Sequence, residues 1–315
     1  MAGKPRKNKK QSSGHQGRGK PKVTRAEQRN AYGLVAGTDS PQESTSSDAR
    51  GMRLNRWLSE QGVNSRRKCD AMVQEGLVDI NGEVVLQPGY RVQPDDKVRV
   101  NGKLIKVTRR LYYLFYKPKG VLCTNDLRET RPRVGDLVDH LVPSRVYPVG
   151  RLDEDSEGLL LLTNDGEFSN LVSHPRYGVP KTYTVLVTKS ASGNVLTDLR
   201  KGTWIDGQKI VPESVRISRR SGSSTLFEVI LRDGRNREIR RLFARFELNV
   251  KTLKRVRIGG IGVKGISRGG LRPLTRKERD SLVEIAKSKK EPRKSKYETR
   301  KSKPAESRPS RRSDK

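Results

Sequence analysis

Apolar positions first fall into a regular pattern at Met52. Leu54, Trp57 and Leu58 recur at helical spacing, and Gly62 is placed to end that helix. A second helix is expected after Asn64 or Ser65, either of which can cap it, with Cys69, Met72 and Val73 on one face and Gly76 past its end. Short apolar runs follow at 78–80, 84–85 and 98–100, and Asn81-Gly82 and Asn101-Gly102 mark tight turns. Two helices and a small twisted sheet make one compact module.

Beyond a linker at 106–110 the period shortens. Tyr112 to Tyr116 reads as a strand stopped by Lys117-Pro118-Lys119-Gly120, and further strands are expected at 146–152, 159–163, 182–187, 226–231 and 250–257. Leu159 to Leu162 is an unbroken apolar run, as in a strand buried on both faces, and Asn164-Asp165-Gly166 reads as the turn that closes it. Short turns and few helices favour an antiparallel-rich α+β domain over repeated βαβ units. One helix is clear near 236–246: Asn236 caps it, and Ile239, Leu242, Phe243 and Phe246 form its buried stripe. The organisation expected is a disordered basic arm at 1–51, the module at 52–106, a second domain at 107–286 and a disordered basic tail at 287–315.

Charge changes this picture. The 315 residues carry a net charge of +33; residues 1–50 hold +7 of it and 286–315 hold +9, which leaves +17 in the middle. A body still basic without its ends points to a polyanion, nucleic acid ahead of anionic membrane. The first turn of the second helix is Arg66-Arg67-Lys68, against the helix dipole, which suggests that a phosphate arrives there. No apolar run approaches a membrane span, and no signal-peptide core follows Met1. Cys69 and Cys123 lie far apart, as in a reducing cytosol, and with His15, His140 and His174 they make no zinc-ligand spacing.

The candidate chemistry lies in Pro148 to Gly166, where Asp153, Glu154, Asp155 and Glu157 crowd into five positions just before the leucine run. Asp153, Asp155, Glu157 and Gly158 match the first half of a calcium-binding EF-hand loop. The match then fails, because its bidentate Glu would be Asn164 and four leucines fill the stretch between. On the 236–246 helix, Arg237, Arg241 and Arg245 fall opposite the apolar stripe. Arg240 sits at the stripe's edge, where a guanidinium either reaches solvent or needs an anionic partner. Tyr183 shares a strand face with Val185 and Val187, a core position whose ring could also stack on a base. Gly260-Ile-Gly262-Val-Lys-Gly265 fits a dinucleotide fingerprint only in spelling, since no helix is expected to open after it, and a methyl-donor site is set aside with it. His174 has no companion nucleophile elbow.

Arg53-Leu-Asn-Arg56-Trp-Leu followed by Ser65-Arg-Arg-Lys68 resembles the small S-four-type RNA-binding domain, or αL motif. Gly150-Arg-Leu-Asp153-x-x-Ser156-x-Gly158, with Tyr116-Lys117-Pro, Lys181-x-Tyr183 and Gly234-Arg-Asn-Arg-Glu-Ile-Arg-Arg241, is similar to the signature of the RsuA-type ribosomal RNA pseudouridine synthases. Ser156 stands where many members have Thr, and Glu238 where Gln is common.

The resemblance implies an isomerase of ribosome biogenesis that converts uridine to pseudouridine in ribosomal RNA of a nascent or partly assembled subunit. It implies a cytoplasmic monomer with no metal, cofactor or membrane partner. Asp153 would be the catalytic carboxylate, kept charged by Arg240, and Tyr183 would stack on a flipped base. The other three acids would be solvated. RNA contacts would fall to Arg53, Arg56, Arg66, Arg67, Lys68, Lys117, Arg151, Lys181, Arg235, Asn236 and Arg237. The loop Val121 to Thr130 and Arg131-Pro132, with the basic tail, resembles the large-subunit branch acting on a uridine-2605-type site of 23S RNA (bacterial numbering), with the small-subunit 16S branch left open. A non-catalytic rRNA-binding assembly factor would share the basic surface but has no reason to keep Asp153, Tyr183 and Arg240 together.

Overall fold

The computed structural model describes residues 51–235 and 237–288. The expected arm and tail therefore lie outside the described residues, apart from Gly51, Lys287 and Ser288, the last two of which close a helix that runs past the domain end expected at 286. Asn236 lies outside them too.

The module opens with β1 (Met52–Arg53), α1 (Leu54–Glu60) and α2 (Arg66–Gln74). Leu54 and Leu58, one turn apart, pack against Cys69 and Val73, and the Ser65 hydroxyl caps α2 by accepting from the Lys68 amide. Strands β2 (Val78–Ile80), β3 (Glu83–Val84), β4 (Arg91–Val92), β5 (Val98–Val100) and β6 (Lys103–Leu104) follow, with β3-β2-β5-β6 as one sheet and β1 paired to β4. Asn81 and Asn101 take φ of 56° and 49° before their glycines, as the two hairpin turns require.

The second part is built on a nine-stranded sheet. Its strands are β7 (Tyr112–Lys117), β8 (Tyr147–Val149), β9 (Glu157–Thr163), β10 (Lys181–Val187), β13 (Ser214–Ser221), β14 (Ser224–Leu231), β15 (Val250–Ile258), β16 (Ile261–Gly262) and β17 (Leu271–Pro273). The hairpin β11 (Thr203–Ile205) and β12 (Gln208–Ile210) stands apart. The order is β13-β14-β10-β15-β9-β7-β17, with β16 on β15 and β8 on β9. Every pairing is antiparallel except β15 on β9, where Lys254 and Arg255 face Glu157 and Gly158. That short parallel seam joins the two halves of the sheet.

Helices α3 (Val134–Val138), α4 (Gly166–Ser173), α5 (Gly193–Lys201), α6 (Glu238–Ala244) and α7 (Arg276–Ser288) cover it. The four leucines are buried on both faces as their run predicts. Leu159 and Leu161 pack under α4 and α7, and Leu160 and Leu162 pack with Val134 and Val138 of α3 on the other side. A third core joins Tyr183, Val185 and Val187 to Phe227, Ile239, Leu242 and Phe243.

Two readings are corrected here. Asn164-Asp165-Gly166 is not a free turn: Asp165 caps α4 by accepting from the Glu167 and Phe168 amides, so strand passes directly into helix. The helix read as 236–246 starts at Glu238, with Arg237 at its N-cap in the left-handed region at φ 47°. The Gly259-Gly260 stretch is the bend from β15 into β16, and the next helix begins only at Arg276.

Candidate active site

The loop between β8 and β9 carries Asp153, and its shape is fixed from below. Lys117 ends β7 with no exposed surface, and its ammonium donates to the carbonyls of Pro118 (2.9 Å) and Ser156 (2.8 Å). The Gly120 amide reaches Glu154 O at 2.8 Å, and Ser156 N closes a turn onto Asp153 O at 3.1 Å. Burial lowers the Lys117 pKa, partly offset by the thiol of Cys123 and the loop acids Asp153, Asp155 and Glu154.

A second clamp comes from α6. Arg240, 14% exposed at its side chain, donates to Val250 O at 3.0 Å and Asp155 O at 3.3 Å, and pairs with the Asp155 carboxylate at 3.0 Å. Arg237, swung out by its left-handed backbone, lies 3.6 Å from Asp155 and 4.0 Å from Asp153. Asp153 itself is 26% exposed and opens on a cavity of about 100 Å³ between the loop, α6 and the strands β10 and β15.

The cavity has two kinds of lining. Tyr183, Leu231, Ile239 and Leu253 give it apolar walls, with Tyr183 registered across the sheet from Arg255. Among these walls lie charges that the fold hides. Lys181 is buried, with its pKa lowered to about 8, first by burial and then by Arg255, against the pull of Asp233 and Glu238. Arg255 is buried and donates from Nε to Leu159 O at 2.6 Å. Glu238 accepts from the Arg235 amide at 3.0 Å, and burial raises its pKa. Arg151, Arg235 and Arg237 stand exposed at the rim.

A carboxylate, a tyrosine wall and buried cations around a slot of this size suit chemistry on one flat heterocycle. Comparison with known proteins decides which chemistry. The family model for RNA pseudouridylate synthases matches residues 111–245, and that for the S4 domain matches 52–98. Ribosomal large subunit pseudouridine synthase B of Bacillus subtilis is 35% identical over 236 residues, covering 74% of this chain and 96% of the relative. The chain belongs to the RNA pseudouridine synthase family.

An uncharacterized RNA pseudouridine synthase of Aquifex aeolicus is 39% identical to the synthase over 245 residues, 77% of this chain and 98% of the relative. The crystal structure of a pseudouridylate synthase superposes with a TM-score of 0.53 at 26% identity, covering 74% of this chain and all (100%) of that one.

Within the synthase, Asp153, Tyr183, Arg151, Lys181, Arg235 and Arg237 converge on the cavity. Arg240 supports the same loop, but its carboxylate partner is Asp155 rather than Asp153, because the bond to Val250 O fixes where its guanidinium can reach. Of the neighbouring acids expected to be solvated, Glu154 and Asp155 keep 41% and 47% of their side chains exposed, and only Glu157 does not. Glu154 pairs with Arg131, and Glu157 is buried against Arg268. Lys117 and Lys181, expected among the RNA contacts, are buried, the first as a strut for the loop and the second as a cavity wall.

Arg53, Arg66, Arg67 and Lys68 stand exposed on the module. Arg56 does not. It pairs with Glu60 at 2.8 Å and with Glu167 of α4 at 3.1 Å, fastening the module to the sheet domain.

Sequence reading missed Arg255 and the support role of Lys117. In β15, Leu253 and Arg255 share a face two residues apart, so a cation on the inward face of a strand was a signal available in the sequence.

Proposed function

We propose that the synthase isomerises one uridine of ribosomal RNA, at a large-subunit uridine-2605-type site (bacterial numbering), acting as a cytoplasmic monomer on a nascent or partly assembled subunit. The similarity to large-subunit synthases B supports the substrate class. The observation that carries the chemistry is Asp153 at the mouth of a slot walled by Tyr183, on a loop held rigid by Lys117 and Arg240. A loop fixed in this way keeps a reacting carboxylate in place without reorganisation.

The target nucleotide leaves its helix to enter the slot. Asp153 is the catalytic carboxylate that acts as the C1′–N1 bond breaks, with its electron pair left on the uracil ring. The base turns, C5 bonds to C1′, the C5 proton leaves and N1 gains one, so composition is unchanged. Tyr183 stacks on the ring. Arg240 positions the loop through Asp155. Arg53, Arg66, Arg67 and Lys68 on a module spanning 52–106, with Arg151, Arg235 and Arg237 at the rim, take phosphates of the surrounding RNA. The catalytic domain spans 107–286 in this reading, with its last helix running on to Ser288.

Pseudouridine mapping by carbodiimide modification and primer extension, on ribosomal RNA from cells lacking the gene, tests the reading. One stop is lost, wild type restores it, and Asp153→Asn does not. Restoration by Asp153→Asn would remove Asp153 from its role.

A further inference from the structure

Two buried polar groups on the cavity have no hydrogen-bond partner among the described residues: the Ser156 hydroxyl and the Nη2 of Arg255. Their residues are 1% and 3% exposed. Buried donors and acceptors left unmet are costly, and a fold keeps them where a ligand completes them. Lys181 adds a third, since its ammonium makes a single long bond to Val179 O at 3.3 Å. The three are brought together by the sheet: Ser156 precedes β9, Lys181 begins β10, and Arg255 lies between them, paired to Gly158 on one side and Tyr183 on the other.

Cations occur at two depths in this site. Arg151, Arg235 and Arg237 are exposed at the rim, within reach of a backbone that stays outside. Lys181 and Arg255 lie at the floor between the apolar walls of Tyr183 and Leu253, where a flat ring fits and a solvated phosphate does not. Uracil presents acceptor, donor, acceptor along O4, N3–H and O2. Two cationic donors and one hydroxyl that can accept match that order. Cytosine would turn its N4 amino group toward a cation.

We propose that Arg255, Lys181 and Ser156 form a floor that reads the O4–N3–O2 edge of the flipped uracil and holds the charge gathering on its carbonyl oxygens as the glycosidic bond breaks. The cations donate to the two carbonyls, and the Ser156 hydroxyl accepts from N3–H. This rests on the slot being the base pocket of the synthase.

The test is an atom-replacement cycle. The modified uridine is first located by mapping in ribosomal RNA, so an error in the proposed target shows at that stage as a different position. An RNA fragment carrying it is then made with 4-thiouridine, 2-thiouridine or 3-deazauridine at the target, or with a methylphosphonate beside it. Single-turnover rates are measured for wild type, Arg255→Lys and Ser156→Ala.

In wild type, at least one thio substitution and the deaza substitution slow turnover about tenfold. Arg255→Lys reduces the thio penalty, and Ser156→Ala the deaza penalty, to about twofold. Ser156→Ala removes only a hydroxyl and the RNA probes leave the fold untouched, so the cycle does not depend on a disruptive variant. Penalties that persist unchanged in the variants would place base reading elsewhere. Coupling of Arg255 to the methylphosphonate alone would make the floor a phosphate site and overturn the proposal.

Discussion

Gly158 lies at φ 112° where β9 meets β15, and a Cβ there would overlap the carbonyl oxygen of Arg255. The parallel seam can close only over a glycine, and the seam sets the Asp153 loop beside Arg255, whose neighbour on the other side is Tyr183. Gly158→Ala is expected to cost about 3 kcal/mol of stability, measured by urea unfolding, because backbone strain and steric overlap add. An unchanged midpoint would show that the seam can open without consequence. Lys181 makes a prediction about pH. Its folded pKa of about 8 lies below the ordinary 10.5, so the unfolded chain binds more protons between these values. Stability therefore rises as pH climbs through that window, while the cation that the floor offers the base is lost. RNA turnover should fall above about pH 8 and Lys181→Arg should flatten that fall; a profile identical in the two proteins would separate Lys181 from the reaction. Neither lysine role was legible from sequence. Lys117 and Lys181 stand at strand ends, where a surface cation and a buried strut are spelled alike, and only the carbonyls folded over Lys117 from residues 154–156 distinguish them. Arg240 was legible as needing a partner. Which aspartate it takes depends on Val250, brought to it by the fold.

At the scale of elements, the run Leu159 to Leu162 and the stripe Ile239, Leu242, Phe243 identified a strand and a helix because each periodicity is intact and each face is filled. The elements that escaped notice have weak or shared signals. Helix α7 offers only Leu282 and Ala286 as fully buried positions amid charge, and β13 is an edge strand rich in Arg and Ser. Helix α4 begins where Asn164-Asp165-Gly166 spells a turn, since a residue that can close a turn can equally cap a helix. Asp165 does more than cap. Its carboxylate also accepts from the half-buried Tyr112 hydroxyl at 2.6 Å and pairs with Arg110 at 3.3 Å, tying α4 to β7. Asp165→Ala should cost about 3 kcal/mol, the sum of a lost cap and a stranded hydroxyl. Asp165→Asn should recover part of it, since the amide oxygen still caps. Thermal melts of the two variants check this, and equal losses would mean that charge, not capping, dominates.

At the scale of the whole molecule, the proposed function divides RNA affinity and RNA chemistry between different parts. In the proposed reaction the slot takes one nucleotide, and a flipped base costs a few kcal/mol to extrude, so the remaining contacts have to supply that energy. The exposed cations of the module, Arg66, Arg67 and Lys68 at the start of α2, sit where the Ser65 cap already fixes the backbone. Arg56 holds the module to α4 through Glu167, so a phosphate caught on the module bears on the slot through one connected body. The ends of the chain add charge: residues 1–50 carry +7 and 286–315 carry +9 of the total +33. Each phosphate neutralised releases counterions, so affinity and its salt dependence rise and fall together. Removing 1–50 and 289–315 should therefore weaken RNA binding at low salt and make the slope of log affinity against log salt shallower. Single-turnover isomerisation at saturating enzyme should remain within about twofold, because the loop, Tyr183 and the floor are intact. A filter-binding titration from low to high salt, with the turnover assay alongside, separates the outcomes. A slope that does not change would assign the tails no phosphate contacts. A collapse of turnover at saturation would mean that the ends help to place the target uridine in the slot.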